Sequence, residues 1–302
     1  MSTPSFPPPG STDIALSVRT HDRVGERRVD EDWLAKTWEE PSTRIMPVAG
    51  TSLPVNDDGD AIRWRSGGDL PTDGLRIFLG EREGVPHFTL VQPEPTDEGR
   101  WTSLRSVVHT LHEPDAGFAV HAVALAEWHA GHRFCPRCGG RLLPTMAGHA
   151  LTCEQCTRQQ FPRSDPAVIM MVTDGDRALL GRQESWPEGR YSTLAGFVDA
   201  GESLEEAVVR EVAEETGVRV TDVTYFGNQP WPFPQSLMVG FFARATTTQI
   251  SVDHNELSDA RWFTRDEMRA QAEAGTLALP VGISISRSLV EAWYGGPLPG
   301  SW

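Results

Sequence analysis

All four cysteines of the chain fall in one short window: Cys135, Cys138, Cys153 and Cys156, spaced as C-x2-C, fourteen residues, C-x2-C. Each knuckle turns tightly enough to aim two thiolates at one point, and a Gly-bearing hairpin between the knuckles brings the pairs together. The pattern predicts a tetrahedral four-sulfur site for one zinc ion. Two disulfides or a redox pair form the competing reading, which suits neither a cytosolic chain nor a window lacking strand-helix context. With four thiolates the site is closed, so it is expected to staple the fold rather than catalyse. The window 133–163 also carries Arg133, Arg137, Arg141, Arg158 and Arg163 against Glu154. Such a basic module suits a phosphate or RNA backbone as well as an ordinary solvated surface.

A chain of 302 residues with 39% hydrophobic residues and 10 Trp is long and apolar enough for two or three cored units, which excludes disordered and fibrous classes. Its 27 Lys+Arg against 42 Asp+Glu leave a formal net charge of −15, which argues against polyanion binding by the whole surface and towards multivalent cations as partners. Lys36 is the sole lysine, so the positive charge is nearly all guanidinium. No apolar run is long enough for a membrane span and the first residues lack a secretory pattern, so a cytoplasmic location is expected and a membrane partner is not.

Four segments are expected: a Pro- and Ser-rich disordered tail over 1–12, an N-terminal α+β domain over 13–132, the zinc ribbon over 133–163, and a C-terminal domain over 164–302. Strand-like runs at Leu75–Leu79 and His87–Val91 precede a helical period from Ala116 to Trp128. Beyond the cysteines, Ala167–Val172 and Arg177–Arg182 flank a hairpin turn, Leu237–Ala245 and Ala260–Phe263 supply further strands, Thr264 and Glu267 form a capping box, and Ile283–Tyr294 reads as a closing helix. No internal repeat is apparent. Helices interleaved with strands imply a layered domain.

The densest chemistry lies in GFVDAGESLEEAVVREVAEETGV, from Gly196 to Val218. Ser203 and Glu206 form a capping box, so a helix is expected from Ser203 to a stop at Gly217. On it Glu211 and Glu215 share one face with Glu214 beside them, and crowded carboxylates repel one another without a cation between them. A solvated acidic face would explain the string alone. The preceding Gly196 and Gly201 let backbone approach a ligand, Glu202 sits before the cap, and clustered hard oxygens select Mg²⁺ or Mn²⁺.

Gly196, Glu202 and the run Arg210-Glu211-Val212-Ala213-Glu214-Glu215-Thr216-Gly217-Val218 match every position of the Nudix box, so the chain resembles the Nudix hydrolases. That resemblance implies an α/β/α sandwich with a mixed sheet, giving an α+β protein with the zinc ribbon and the N-terminal domain. It implies that Glu211, Glu214, Glu215 and a further glutamate, Glu256, bind two or three Mg²⁺ or Mn²⁺ ions, with the Ala195 carbonyl contributing. Arg210 orients the glutamates, and Glu214 or Glu215 takes the proton. Asn228-Gln229-Pro230-Trp231-Pro232-Phe233-Pro234-Gln235-Ser236 resembles the SQPWPFPxS array of the NADH pyrophosphatase branch, with Asn228 in place of Ser. Trp231 and Phe233 offer flat faces to a base, and Gln229, Gln235 and Ser236 offer hydrogen bonds, on a loop stiffened by Pro230, Pro232 and Pro234.

LAEWHAGHRFCPRCG extends the resemblance towards the cysteines, and by the same resemblance Phe161, Phe197, Arg105 and Ser286 are substrate contacts. The implied activity is hydrolysis of the pyrophosphate of NAD(H) to nicotinamide mononucleotide and AMP, with removal of NAD caps from RNA, by a homodimer. Hydrolysis of another dinucleotide such as ADP-ribose is the alternative within enzymes. A catalytically silent zinc-ribbon nucleic-acid-binding protein is the alternative outside them.

Overall fold

The computed structural model describes residues 14–17, 19–67, 70, 74–95, 99–280 and 282–299. The tail expected over 1–12 lies outside them. In chain order the elements are α1 (Glu31–Trp38), β1 (Arg44–Ala49), β2 (Ser52–Val55), β3 (Arg65–Ser66), β4 (Leu75–Arg82), β5 (Val85–Gln92), β6 (Arg100–Ser103), α2 (Leu104–Val107) and α3 (Glu113–Gly131). The cysteine window adds β7 (Leu142–Thr145), β8 (Ala150–Cys153) and β9 (Gln159–Gln160). Then follow β10 (Asp165–Thr173), β11 (Arg177–Arg182), β12 (Leu194–Phe197), α4 (Leu204–Thr216), β13 (Val220–Trp231), β14 (Ser236–Ala245), β15 (Asp259–Thr264), α5 (Arg265–Glu273) and α6 (Ile285–Tyr294). Among the described residues no helix is long and apolar enough to cross a membrane.

The chain divides into two units. One holds the described residues of 14–17, 165–230 and 236–299; the other holds those of 19–164 together with Trp231–Gln235. In the first, the sheet runs β13-β14-β10-β11-β15, with β12 on β10. β10 and β14 pair in parallel, and the other pairings of β10 are antiparallel. From Ala167 to Thr173 β10 is buried without a break, as a central strand covered on both faces must be. Val168, Met170, Val239 and Phe241 face α4 through Ala207, Val208 and Val212. Ile169, Met171 and Phe242 face α6 through Ile285, Leu289 and Val290. The unit is therefore a helix-sheet-helix sandwich, and each of these fully buried aliphatic or aromatic side chains contributes about 1.5–3 kcal/mol by leaving water.

In the second unit the sheet runs β4-β5-β1-β2-β6, with β3 on β1 and a parallel β1–β5 pair. Replacing β1 through β6 by β10 through β15, in order, converts this arrangement into the other sheet, and two helices follow the last strand in each case. The fold thus contains a repeat that the sequence does not display. Strand order is a property of the backbone, while the residues at matching positions differ. The large departure lies in one connection: α4 stands between β12 and β13, whereas residues 67–74 between β3 and β4 carry no helix among the described residues.

α3 begins at Glu113, ahead of the apolar period, because Pro114 and the acids Glu113 and Asp115 suit a helix's first turn. It packs on β1 and β4, and the opposite face of that sheet presents Ile45, Phe78, Phe88 and Leu90 to Trp38 of α1. The cysteine window forms its own three-stranded sheet, β7-β8-β9, seated on Trp128 at the end of α3.

Candidate active site

α4 is set by local chemistry. Ser203 accepts from the Glu206 N–H and Glu206 returns the bond to the Ser203 N–H, closing the capping box, while Gly217 ends the helix with φ of 70°, a left-handed value. Between these stops Glu211 and Glu215 fall on the buried face, 8% and 7% exposed. The chain after Thr216 returns to the same helix end: the Ser251 N–H donates to the Thr216 carbonyl and the Asp253 N–H to the Glu215 carbonyl. This tie brings in Glu256, and carboxylate oxygens of Glu211, Glu215 and Glu256 come within 4.8 Å of one another.

Such a cluster is electrostatically incomplete. Burial, then Glu211 and Glu256, push the Glu215 carboxyl up to about 8, and burial raises Glu211 as well. Oε2 of Glu215 is buried and has no hydrogen-bond partner among the described residues. A buried carboxylate oxygen left bare beside two more acids calls for a hard cation, and an all-oxygen donor set fits Mg²⁺ or Mn²⁺.

Arg210 organises the cluster from its rim. Nε and Nη2 hold the two oxygens of Glu202 at 2.8 Å each, Nη1 donates to Glu211 at 2.8 Å and to Glu214 at 3.1 Å, and Nη2 also reaches the Phe197 carbonyl at 2.9 Å. This forked grip holds the Glu202 carboxyl well below its usual range, at about 2. Glu214 is half exposed and turned to Arg210, outside the three-carboxylate convergence.

Gly196 lies against Glu211. A Cβ at this position would stand 1.9 Å from the Glu211 carboxyl carbon. Gly196→Ala is therefore expected to displace Glu211 and to lower metal-dependent turnover by at least tenfold, with α4 still folded. Circular dichroism alongside a rate measurement checks this, and an alanine variant with full activity would remove Glu211 from the site.

Ala195 and Phe197, on β12 beside Gly196, are exposed, Phe197 by 59%. Gln229 is 1% exposed. Its amide donates to the Ala15 and Ile283 carbonyls and accepts from the Ile285 N–H, so the side chain is spent on backbone. Ser286 is 3% exposed and bonds to the hydroxyls of Ser192 and Thr193. Ser236 begins β14, and Pro230 lies near the end of β13.

In the other unit Trp231 and Phe233 meet edge to face at 5.1 Å, and the Arg105 guanidinium lies 5.7 Å from the Phe233 ring centre. Pro232 is buried, Pro234 is exposed and Gln235 is half-buried, while Phe161 stands 61% exposed. The four cysteines are unpaired by disulfides, and their sulfurs gather within 4.8 Å, with Cys135–Cys156 at 3.8 Å and Cys138–Cys153 at 3.5 Å. Metal–sulfur bonds of about 2.3 Å in a tetrahedron separate sulfurs by about 3.8 Å, so the donor set fits zinc.

Comparison with known proteins gives a consistent relationship. Residues 163–279 match the NUDIX domain, and residues 42–128 match the NADH pyrophosphatase-like rudimentary NUDIX domain. The second match covers the strands of the repeated sheet. The chain is 43% identical over 290 residues to the NAD-capped RNA hydrolase NudC of Mycobacterium bovis (strain BCG / Pasteur 1173P2), covering 90% of this chain and 92% of that protein. Identity to the NAD-capped RNA hydrolase NudC of Mycobacterium tuberculosis (strain H37Rv) is 42% with the same coverage. It is 41% over 196 residues to the human NAD-capped RNA hydrolase NUDT12, covering 61% of this chain and 42% of that one.

Proposed function

The chain belongs to the Nudix hydrolase family, and on that footing we propose that it hydrolyses the pyrophosphate of NAD(H) to nicotinamide mononucleotide and AMP and removes NAD caps from RNA 5′ ends. The observation that carries the proposal is the convergence of Glu211, Glu215 and Glu256 around a bare, buried Glu215 oxygen. The substrate comes from the relatives, which are named NAD-capped RNA hydrolases; the two mycobacterial ones match 90% of the chain.

In this reading Glu211, Glu215 and Glu256 hold two or three Mg²⁺ or Mn²⁺ ions, with Glu214 and the Ala195 carbonyl contributing. When bound, such ions neutralise the diphosphate and acidify water. Arg210 fixes the carboxylates of Glu202, Glu211 and Glu214 in advance, so little reorganisation remains for the reaction. Glu214, held by Arg210 through one oxygen, or Glu215 takes the proton of the attacking water.

Phe161, Phe197, Trp231 and Phe233 offer faces to the base and nicotinamide, with Arg105 against Phe233. Gln229 and Ser286 act as positioning residues, one locking β13 to the start of α6 and the other tying α6 to Ser192 and Thr193, which lead into β12. Pro232, Pro234 and Gln235 shape the turn between β13 and β14, with Pro230 and Ser236 in the strands that flank it. Zinc on Cys135, Cys138, Cys153 and Cys156 staples the ribbon over 133–163, which follows the N-terminal domain expected over 13–132, packs on Trp128 within the same unit, and precedes the catalytic domain expected over 164–302. The protein works as a cytoplasmic homodimer.

The test is product analysis of the purified protein with Mn²⁺ and NADH, followed by NAD-capped RNA. AMP and nicotinamide mononucleotide from the first and 5′-monophosphate RNA from the second are expected. Cleavage of ADP-ribose with intact NADH would overturn the substrate assignment.

A further inference from the structure

The ribbon sheet β7-β8-β9 has two faces of opposite character. Leu142, Leu151 and Cys153 point inward and are buried with Trp128 and Cys135. Strand alternation sends their neighbours Arg141, Leu143, Thr152 and Gln159 to the other face. There Leu143 stands opposite Thr152, and Thr152 opposite Gln159. An antiparallel bridge to Arg141 brings Phe134 to the edge of this row, where its ring is 67% exposed, with Leu143 40% exposed. A phenylalanine that open to water on a small stapled module marks a surface built for contact.

The exposed side of the ribbon is also cationic. Arg133, Arg137, Arg141 and Arg158 are all exposed, and none of these guanidinium groups has an ion pair or a side-chain hydrogen bond among the described residues. In the other unit Arg177, Arg210, Arg244, Arg261 and Arg287 each hold a carboxylate. On a chain of net charge −15, free arginines gathered in one module stand apart from that pattern. The one acid of the window, Glu154, follows β8, and its N–H donates to the Arg141 carbonyl at 3.1 Å. Zinc on four thiolates brings about −2, so the five arginines and Glu154 leave the module at about +2.

A planar ring bracketed by unpaired guanidinium groups fits single-stranded RNA. Bases stack on such a ring whatever their sequence, while backbone phosphates meet the cations. A duplex keeps its base faces covered, and an acidic peptide would leave the ring unused. The surface is also continuous with a substrate contact, because Phe161, 61% exposed, directly follows β9.

We propose that the outer side of the zinc ribbon binds the single-stranded RNA that trails the cap, with Phe134 stacked on a base and Arg137, Arg141 and Arg158 on phosphates. The inference rests on the capped-RNA reading for its substrate, but the binding it describes needs no pyrophosphate.

Fluorescence anisotropy with a labelled, uncapped single-stranded RNA of about 20 nucleotides therefore tests it apart from cleavage, a length that covers more than one stacking site. The full-length, zinc-loaded protein is used without added magnesium or manganese. The wild type should bind, Phe134→Ala about tenfold more weakly, and Phe134→Trp at least as tightly as wild type. Changing Arg137, Arg141 and Arg158 together to Gln should flatten the slope of log affinity against log salt by about 2, since each phosphate contact on a single strand contributes about 0.7. Zinc content should be unchanged in every variant and NADH turnover should stay within twofold of wild type, while KM for NAD-capped RNA rises in Phe134→Ala and the triple variant. No RNA binding by the wild type, equal binding by Phe134→Ala and the triple variant, or duplex RNA bound as tightly as the single strand overturns the proposal. So does a Phe134→Ala protein whose mass in light scattering falls while its RNA affinity is unaltered, which would assign the ring to a contact between copies of this chain. RNA binding with these losses in a protein that leaves NADH intact would refute the activity proposed above and support this surface.

Discussion

Replacing Glu215 by Gln is expected to abolish NADH cleavage and to leave the protein folded. The substitution keeps the shape of the side chain and removes the charge that a cation in the cluster requires. A loss of at least 10²- to 10³-fold in kcat is expected, the scale at which one preorganised charge contact acts on a transition state. A second readout separates this from simple damage. The folded-state pKa of Glu215 is raised to about 8 from its ordinary value of 4.5. In the metal-free protein, ionising this group works against the fold. The wild type should therefore lose stability as pH rises from about 4.5 to 8, by a few kcal/mol at most. Glu215→Gln should lack this decline and be the more stable protein at pH 8 without divalent ions. Near-normal turnover by the variant would sink the assignment of the cluster.

Cys153→Ser is the second large effect. Cys153 is 1% exposed and sits in an apolar cluster with Cys135, Leu142, Leu151 and Trp128 at the end of α3. Structural zinc in small zinc-finger peptides contributes about 10–16 kcal/mol of folding free energy, and a serine hydroxyl is a poor replacement for a thiolate. The variant is expected to purify with well under one zinc per chain and with a first unfolding transition lowered by more than about 10 °C. Stoichiometric zinc with an unchanged melting profile would show that the four sulfurs do not stabilise the fold.

The parts of the molecule legible in the sequence are those whose cause is local. Ser203, Glu206 and Gly217 delimit α4 within one short segment, and the knuckle spacing brings the sulfurs together. The parts that were not legible depend on distant backbone. Gln229 reads as a donor for substrate, yet its partners are the Ala15 and Ile283 carbonyls and the Ile285 N–H, which no side-chain pattern marks. Ser286, a substrate contact by the family resemblance, is 3% exposed and bonded to the hydroxyls of Ser192 and Thr193. The convergence of Glu256 on α4 follows from two backbone bonds after Thr216, so only the family resemblance pointed to it. The duplicated strand order was hidden for the same reason, since hydrogen-bonded pairing of backbones leaves little trace in which residues alternate.

The short segment Trp231–Gln235 interrupts one unit while belonging to the other. A minimal enzyme cut to begin at Asp165 would keep every acidic ligand and still part Phe233 from Arg105, its cationic neighbour. A shortened version should therefore be judged by which molecules it accepts as well as by how fast it works, since the contacts of Trp231–Gln235 would be lost with the removed unit.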